Sequence, residues 1–156
     1  MEYWKILRKH LGKQRVIMPS SLGVITKNNK ILLTLHKELK SWGFPGGLQD
    51  LNESVEETAK REIKEELNLK LEVNHLIGIY SSDQWHHSFP NGDEIQNLSF
   101  LFMMSSPKKF DKIQLQPEEI EAYDFFELDN LPKNCSALTL QQFNDLKSFK
   151  GKVFMR

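Results

Sequence analysis

Cysteine is nearly missing from this chain: 156 residues contain one, Cys135. A single thiol makes no internal disulfide and no C-x-x-C zinc pattern, and it fits a reducing compartment. Charge of one sign is also lacking. Lys and Arg number 21, Asp and Glu 21, and the formal net charge is zero. The chain therefore has no basic excess of the kind that broad nucleic-acid or anionic-membrane binding draws on. An anionic substrate must be met locally, by a few positive groups or by metal ions. No apolar run is long enough to cross a bilayer, and the first residues, MEYWKILRKHLGKQR, mix charge with apolar groups where a secretory signal has an apolar core. These absences give the expectation of a cytoplasmic protein with neither a membrane nor a nucleic-acid partner. Internal repeats, low-complexity tracts and linkers are absent as well, so residues 1–156 read as one domain, long enough to bury a single core.

What is present alternates between two hydrophobic periods. Residues 3–11, YWKILRKHL, carry Tyr3 or Trp4, Leu7 and Leu11 at helical spacing, with Gly12 as a stop; this helix is also a plausible dimer element. LGVIT (22–26) and KILLTLH (30–36) read as strands joined through Asn28-Asn29, a pair that tolerates the positive φ of a tight hairpin. WGFPGG (42–47) is a shaped loop. A helix is expected over Val55–Leu67. Ser54 and Glu57 form a capping box, and Val55, Ala59, Ile63 and Leu67 step by four as one apolar stripe. LEV (71–73) and LIGIY (76–80) are short strand candidates, residues 81–94 a polar and aromatic loop, IQNLSFLFMM (95–104) a central strand and EAYDFFEL (121–128) another. Ser136 to Phe149 read as a closing helix with Leu138, Leu140, Phe143 and Leu146 inward. The fold class is α+β: helices packed on the faces of a mixed sheet.

The chemistry concentrates in R-E-I-K-E-E-L-N-L, residues 61–69. At roughly 100° per residue, Glu62, Glu65 and Glu66 fall within about 100° of arc. That arc flanks the apolar stripe instead of opposing it, so the acids sit at the rim of the core. On a solvated surface such repulsion costs a few tenths of a kcal/mol per pair; in a partly buried groove a pair at ~6 Å costs about 3 kcal/mol at an effective dielectric of 20. A cation is the usual remedy, and an all-oxygen donor set suits a hard ion, Mg²⁺ or Mn²⁺. An EF-hand starting at Asp50 is excluded, because its sixth position would be Val55 in place of Gly and its twelfth Arg61 in place of Glu.

Read from Gly47, the stretch G-LQDLN-E-SVEETAK-REIKEELNL resembles the box of the Nudix hydrolase (MutT-like) family, G-x5-E-x7-R-E-U-x-E-E-x-G-U with U apolar. Gly47, Glu53, Arg61, Glu62, Ile63, Glu65, Glu66 and Leu69 match over residues 47–69. The final Gly is Asn68 here, the next-best residue for a left-handed helix end. WGFPGG upstream and EEIEAYDFFELDNLP (118–132) downstream are similar to the loop before the box and to the closing strand of such domains.

The resemblance implies a Nudix fold, an α/β/α sandwich with a mixed sheet, and metal-dependent hydrolysis of a nucleoside diphosphate derivative by water attack. It implies Glu62, Glu65, Glu66 and the main chain of Gly46 as ligands of Mg²⁺ or Mn²⁺. Arg61 is expected to pair with Glu53 and a neighbouring carboxylate, holding the geometry. Candidates for the general base are Glu65, Glu94 in the PNGDE turn and Glu119, with Glu119 ranked last. Candidate substrate contacts are His36 and Lys37, which end a strand, and Trp85 and His87 in the aromatic loop. A 5′-RNA pyrophosphohydrolase and a catalytically silent nucleotide sensor are the alternatives, disfavoured respectively by the zero net charge and by the intact box.

Overall fold

The computed structural model describes residues 3–107 and 109–156. Helix α1 (Tyr3–Leu11) leads into a long strand β1 (Val16–Val24), followed by β2 (Thr26–Lys27), β3 (Lys30–His36), β4 (Ser41–Gly43) and β5 (Gly46–Leu48). Helix α2 (Val55–Leu67) precedes β6 (Val73–Tyr80), β7 (His86–Ser88), β8 (Glu94–Met104), β9 (Ile120–Glu127), α3 (Ala137–Ser148) and β10 (Phe154–Met155). Among the described residues, six strands form one mixed sheet in the order β10-β6-β8-β1-β5, with β7 also on β8. Its spine is the parallel pair β1–β8, in register from Val16↔Ile95 to Val24↔Met103. A second, antiparallel sheet centres on β3, which pairs with β2 and β4 along one edge and β9 along the other. The class is α+β, as the sequence implied.

Two apolar clusters hold the layers together. On one face of the large sheet, Ala59, Ile63 and Leu67 of α2 pack with Ile25, Leu32, Phe102 and Met104. This is the expected stripe, and it fixes how α2 is rotated. On the other face, Val24, Leu33, Phe44, Ile77, Leu101 and Phe143 join the large sheet to the small sheet and to α3. Local chemistry sets the ends of α2. Ser54 Oγ accepts from the Glu57 amide while the Glu57 carboxylate accepts from the Ser54 amide, closing the capping box. At the other end Asn68 takes the left-handed conformation, φ 58°, and its amide returns to Lys64 O. Asn28 and Asn29 both have positive φ, as the tight hairpin requires.

Several expectations need correction. The first strand starts at Val16, not Leu22. Pro19 is tolerated inside it because its nitrogen faces the β5 edge, where its carbonyl accepts from the Gln49 amide, and not the ladder with β8. The two candidates at 71–73 and 76–80 are one strand, Val73–Tyr80, interrupted by register shifts against β8. The 81–94 loop contains a 3-10 turn, Asp83–Trp85, and the short β7. Leu140 is 44% exposed, whereas Gln142 and Asp145 are buried. On the wheel Leu140 lies about 60° beyond Phe143, outside the packed face. Asp145 is buried because it accepts two hydrogen bonds from Arg156, at 2.7 and 3.2 Å. Helix α1 buries none of its residues; Trp4 and Arg8 wall a cleft instead.

Candidate active site

The cleft, about 700 Å³, opens between the two sheets and is bounded by α1, the 84–93 segment and the start of α3. Arg61 organises its acidic end. Nε and Nη2 hold both oxygens of Glu53, at 2.9 and 2.7 Å, and Nη2 also donates to Leu48 O at 3.0 Å. Nη1 donates to Glu62 at 2.7 Å and to Glu65 at 3.2 Å. Glu53 in turn accepts from the Asp50 amide and the Thr58 hydroxyl. These bonds, led by Arg61, hold the Glu53 carboxyl down at a pKa of about 2. One guanidinium thus ties the loop before α2 to two of its acids, a fork-like task that lysine cannot perform.

Glu62 and Glu66 are the inner acids. Glu66 is 3% exposed, and its carboxylate accepts from the Gly46 amide at 3.1 Å. Burial, with the charge of Glu62 behind it, pushes the Glu66 carboxyl well above the usual carboxylate range. Burial raises Glu62 to about 7 despite the opposing Arg61. The main chain is cut to fit them. A Cβ on Gly47 would lie 2.6 Å from the Glu62 carboxyl carbon. A Cβ on Gly46, at φ 143°, would strike Ser21 O at 2.1 Å. Glu65 is the outer acid, its side chain 51% exposed. Among the described residues, no group of three His, Cys, Asp or Glu is already poised around a common metal position; two of the three expected ligands are drawn onto Arg61. The donor chemistry nonetheless suits a hard divalent ion. Two adjacent carboxylates lie in a place where burial and mutual repulsion both oppose their ionisation.

The other sequence candidates divide. His36, Trp85 and His87 line the cleft. Burial lowers the pKa of both imidazoles, so they sit there neutral near pH 7. His87 packs edge-on to Phe89, ring centroids 4.7 Å apart. Lys37 does not join them: it is exposed, and its ammonium group donates to Pro117 O. Glu94 is also outside the lining, paired with Arg15 at 3.2 Å. Glu119, ranked last from sequence, does line the cleft, and its charge acts on Glu62, Glu66 and His36. Strand parity carries the missed signal. Ile95, Asn97 and Ser99 of β8 face the cleft, so Glu94 belongs to the opposite row. Trp4, Arg8, Trp42 and Phe44 are further lining residues. Cys135 is apart from this chemistry, its thiol donating to Pro132 O and its pKa raised by burial.

A capped acidic helix against a glycine pair, bound together by one arginine, defines a class. The NUDIX domain family model matches residues 18–146. The ADP-ribose pyrophosphatase of Methanocaldococcus jannaschii is 35% identical over 136 residues, covering 83% of this chain and 75% of that protein. A putative 8-oxo-dGTP diphosphatase of Bacillus subtilis is 40% identical over a shorter 57 residues, 36% of this chain and 38% of that protein. Among solved structures, a MutT NUDIX hydrolase from Burkholderia pseudomallei superposes with a TM-score of 0.63 at 26% identity, over 84% of this chain and 98% of that one. The chain therefore belongs to the NUDIX family and is a hydrolase of phosphorus-containing acid anhydrides.

Proposed function

We propose that this protein, read as one NUDIX domain over residues 1–156, is a cytoplasmic, Mg²⁺- or Mn²⁺-dependent pyrophosphohydrolase. Its substrate would be a small nucleoside diphosphate derivative. The observation that carries the reading is the charge balance of the cleft. Among the described lining residues, Arg8 and Arg61 are the only Lys or Arg side chains. Both are already engaged: Arg61 by Glu53, Glu62 and Glu65, and Arg8 by Asp93 and the carbonyls of Gly12, Gln14 and Glu94. A diphosphate entering a cleft lined by Glu62, Glu65, Glu66 and Glu119 finds no uncommitted Lys or Arg among the described lining residues, so its charge must be met by cations that come with it.

Glu62, Glu65 and Glu66, with the Gly46 main chain, are the residues that would hold the ion. The chemistry such an ion supplies is neutralisation of the diphosphate oxygens and acidification of a water. Arg61 keeps Glu62 and Glu65 oriented toward the cleft and keeps Glu53 out of the donor set. Glu65 or Glu119 takes the proton of the attacking water; Glu119 replaces Glu94 as the candidate outside α2, because Glu94 does not reach the cleft. His36, Trp85 and His87 bind the part of the substrate beyond the diphosphate, the imidazoles by stacking and Trp85 through its indole N–H.

The test is a panel of nucleoside diphosphate sugars, ADP-ribose and nucleoside triphosphates, with products identified by mass in Mg²⁺, Mn²⁺ and chelator. Metal-dependent appearance of two phosphomonoesters from a diphosphate-linked substrate is expected. Equal rates in chelator contradict the reading.

A further inference from the structure

Gln142 occupies the middle of the buried face of α3. At 100° per residue it falls between Leu138 and Leu146, both packed on the core between the sheets. It is completely buried, yet among the described residues neither its Nε2 nor its Oε1 has a hydrogen-bond partner. Removing a carboxamide from water with both ends unmatched is costly, and folded proteins keep such a group where something else satisfies it. Gln142 lines the cleft. So do Ser99, whose buried hydroxyl is unmatched, and Trp85, whose indole Nε1–H is unmatched as well. The same cleft carries the flat rings of Trp42 and Phe44, the latter tilted on Phe143 with centroids 4.8 Å apart.

We propose that Gln142 reads the hydrogen-bonding edge of the substrate's nucleobase, with Ser99 Oγ and Trp85 Nε1–H as accessory partners; this rests on the pyrophosphohydrolase reading of the same cleft. A carboxamide presents a donor and an acceptor side by side, and nucleobase edges present the matching pair. A diphosphate offers acceptors only and leaves Oε1 unsatisfied. A ribose hydroxyl can serve one atom at a time but gives the aromatic walls no flat ring to cover. Gln142 is thereby a specificity residue supplied by α3, an element apart from the acids of α2.

The experiment uses the full chain as wild type, Gln142→Met and Gln142→Leu. Hydrolysis is measured on nucleoside diphosphate riboses that differ only in base. Binding of the corresponding nucleoside diphosphates, and of ribose 5-phosphate, is measured by calorimetry. Wild type is expected to favour one base. In Gln142→Met the KM for that base rises about 10–100-fold while kcat stays within about threefold, and the preference over other bases collapses. Nucleoside diphosphate binding weakens in step, ribose 5-phosphate binding does not change, and Tm holds or rises because an unmatched buried amide has been removed. Unchanged base selectivity overturns the proposal. So does equal weakening toward ribose 5-phosphate, which makes Gln142 a sugar contact, or a fall in Tm with selectivity intact, which makes it a water-held core residue. If wild type hydrolyses no member of the set, the pyrophosphohydrolase reading fails, and the calorimetric arm still decides whether Gln142 reads a base.

Discussion

Replacing Glu62 by glutamine keeps the shape of the side chain and removes its charge, and the consequence can be worked out. Burial raises the Glu62 carboxyl from 4.5 to about 7, with Arg61 already counted against the rise. That difference corresponds to about 3 kcal/mol against the ionised form in the metal-free protein. The side chain is 13% exposed, so solvent screening trims the figure only modestly, to about 2–3 kcal/mol. The sign follows from linkage. A carboxyl whose folded pKa is raised stabilises the fold below pH 4.5, and that contribution disappears as pH rises through about 7. In chelator at pH 8, Glu62→Gln is therefore expected to melt about 5–10 °C above wild type, while at pH 4.5 the two converge. Saturating Mg²⁺ should raise the Tm of wild type at pH 8 and leave the variant almost unmoved. The assay is thermal unfolding across pH with and without metal. A variant that melts below wild type at pH 8 in chelator would mean the opposite, that ionised Glu62 is well accommodated by Arg61 alone.

Four other outcomes follow from the same geometry. Arg61→Lys cannot hold both oxygens of Glu53 and also reach Glu62, so kcat should fall at least about 100-fold and stability by about 2–4 kcal/mol, read by kinetics and denaturant titration. Gly47→Ala puts a methyl group against the Glu62 carboxyl, and turnover should fall more steeply than Tm. Glu53, depressed to about 2, contributes stability that is complete above pH 4.5 and lost as pH falls toward 2. After allowance for screening at the rim of the site this is about 1–2 kcal/mol, and Glu53→Gln should erase that part of the acid limb of the unfolding profile. Of Glu65→Gln and Glu119→Gln, the variant that removes the proton acceptor should lose kcat with KM little changed and lose the acid limb of its pH–rate profile.

The features legible in the sequence are those decided locally. The limits of α2, its capping box, the left-handed Asn68 and the Asn28-Asn29 hairpin depend on residues a few positions apart, and the structure has them where expected. The rotation of α2, and with it the placement of Glu62 and Glu66 at the rim of the core, followed from a stripe of four apolar residues. What could not be read depends on partners distant in the chain. Strand β1 begins before Pro19 because residues 16–19 already pair with β8, from Val16↔Ile95 onward. Strand β10 is two residues long and exists because it pairs with Gly78 and Ile79. The buried face of α3 takes in Gln142 and Asp145 at positions where a hydropathy pattern asks for leucine, and it leaves out Leu140. Glu119 outranks Glu94 only once the pairing of β8 shows which of its rows meets the cleft.

The central claim is that the buried acids of α2 serve hydrolysis of a diphosphate by water. Turnover of ADP-ribose, or of whichever diphosphate-linked substrate the panel identifies, should be run in heavy-oxygen water with wild type and Glu66→Gln at matched Tm. Heavy oxygen is expected in one of the two phosphomonoesters from wild type with Mg²⁺, and no turnover by a folded Glu66→Gln even in excess Mg²⁺. Full activity of Glu66→Gln, or products without heavy oxygen on phosphorus, would contradict the claim.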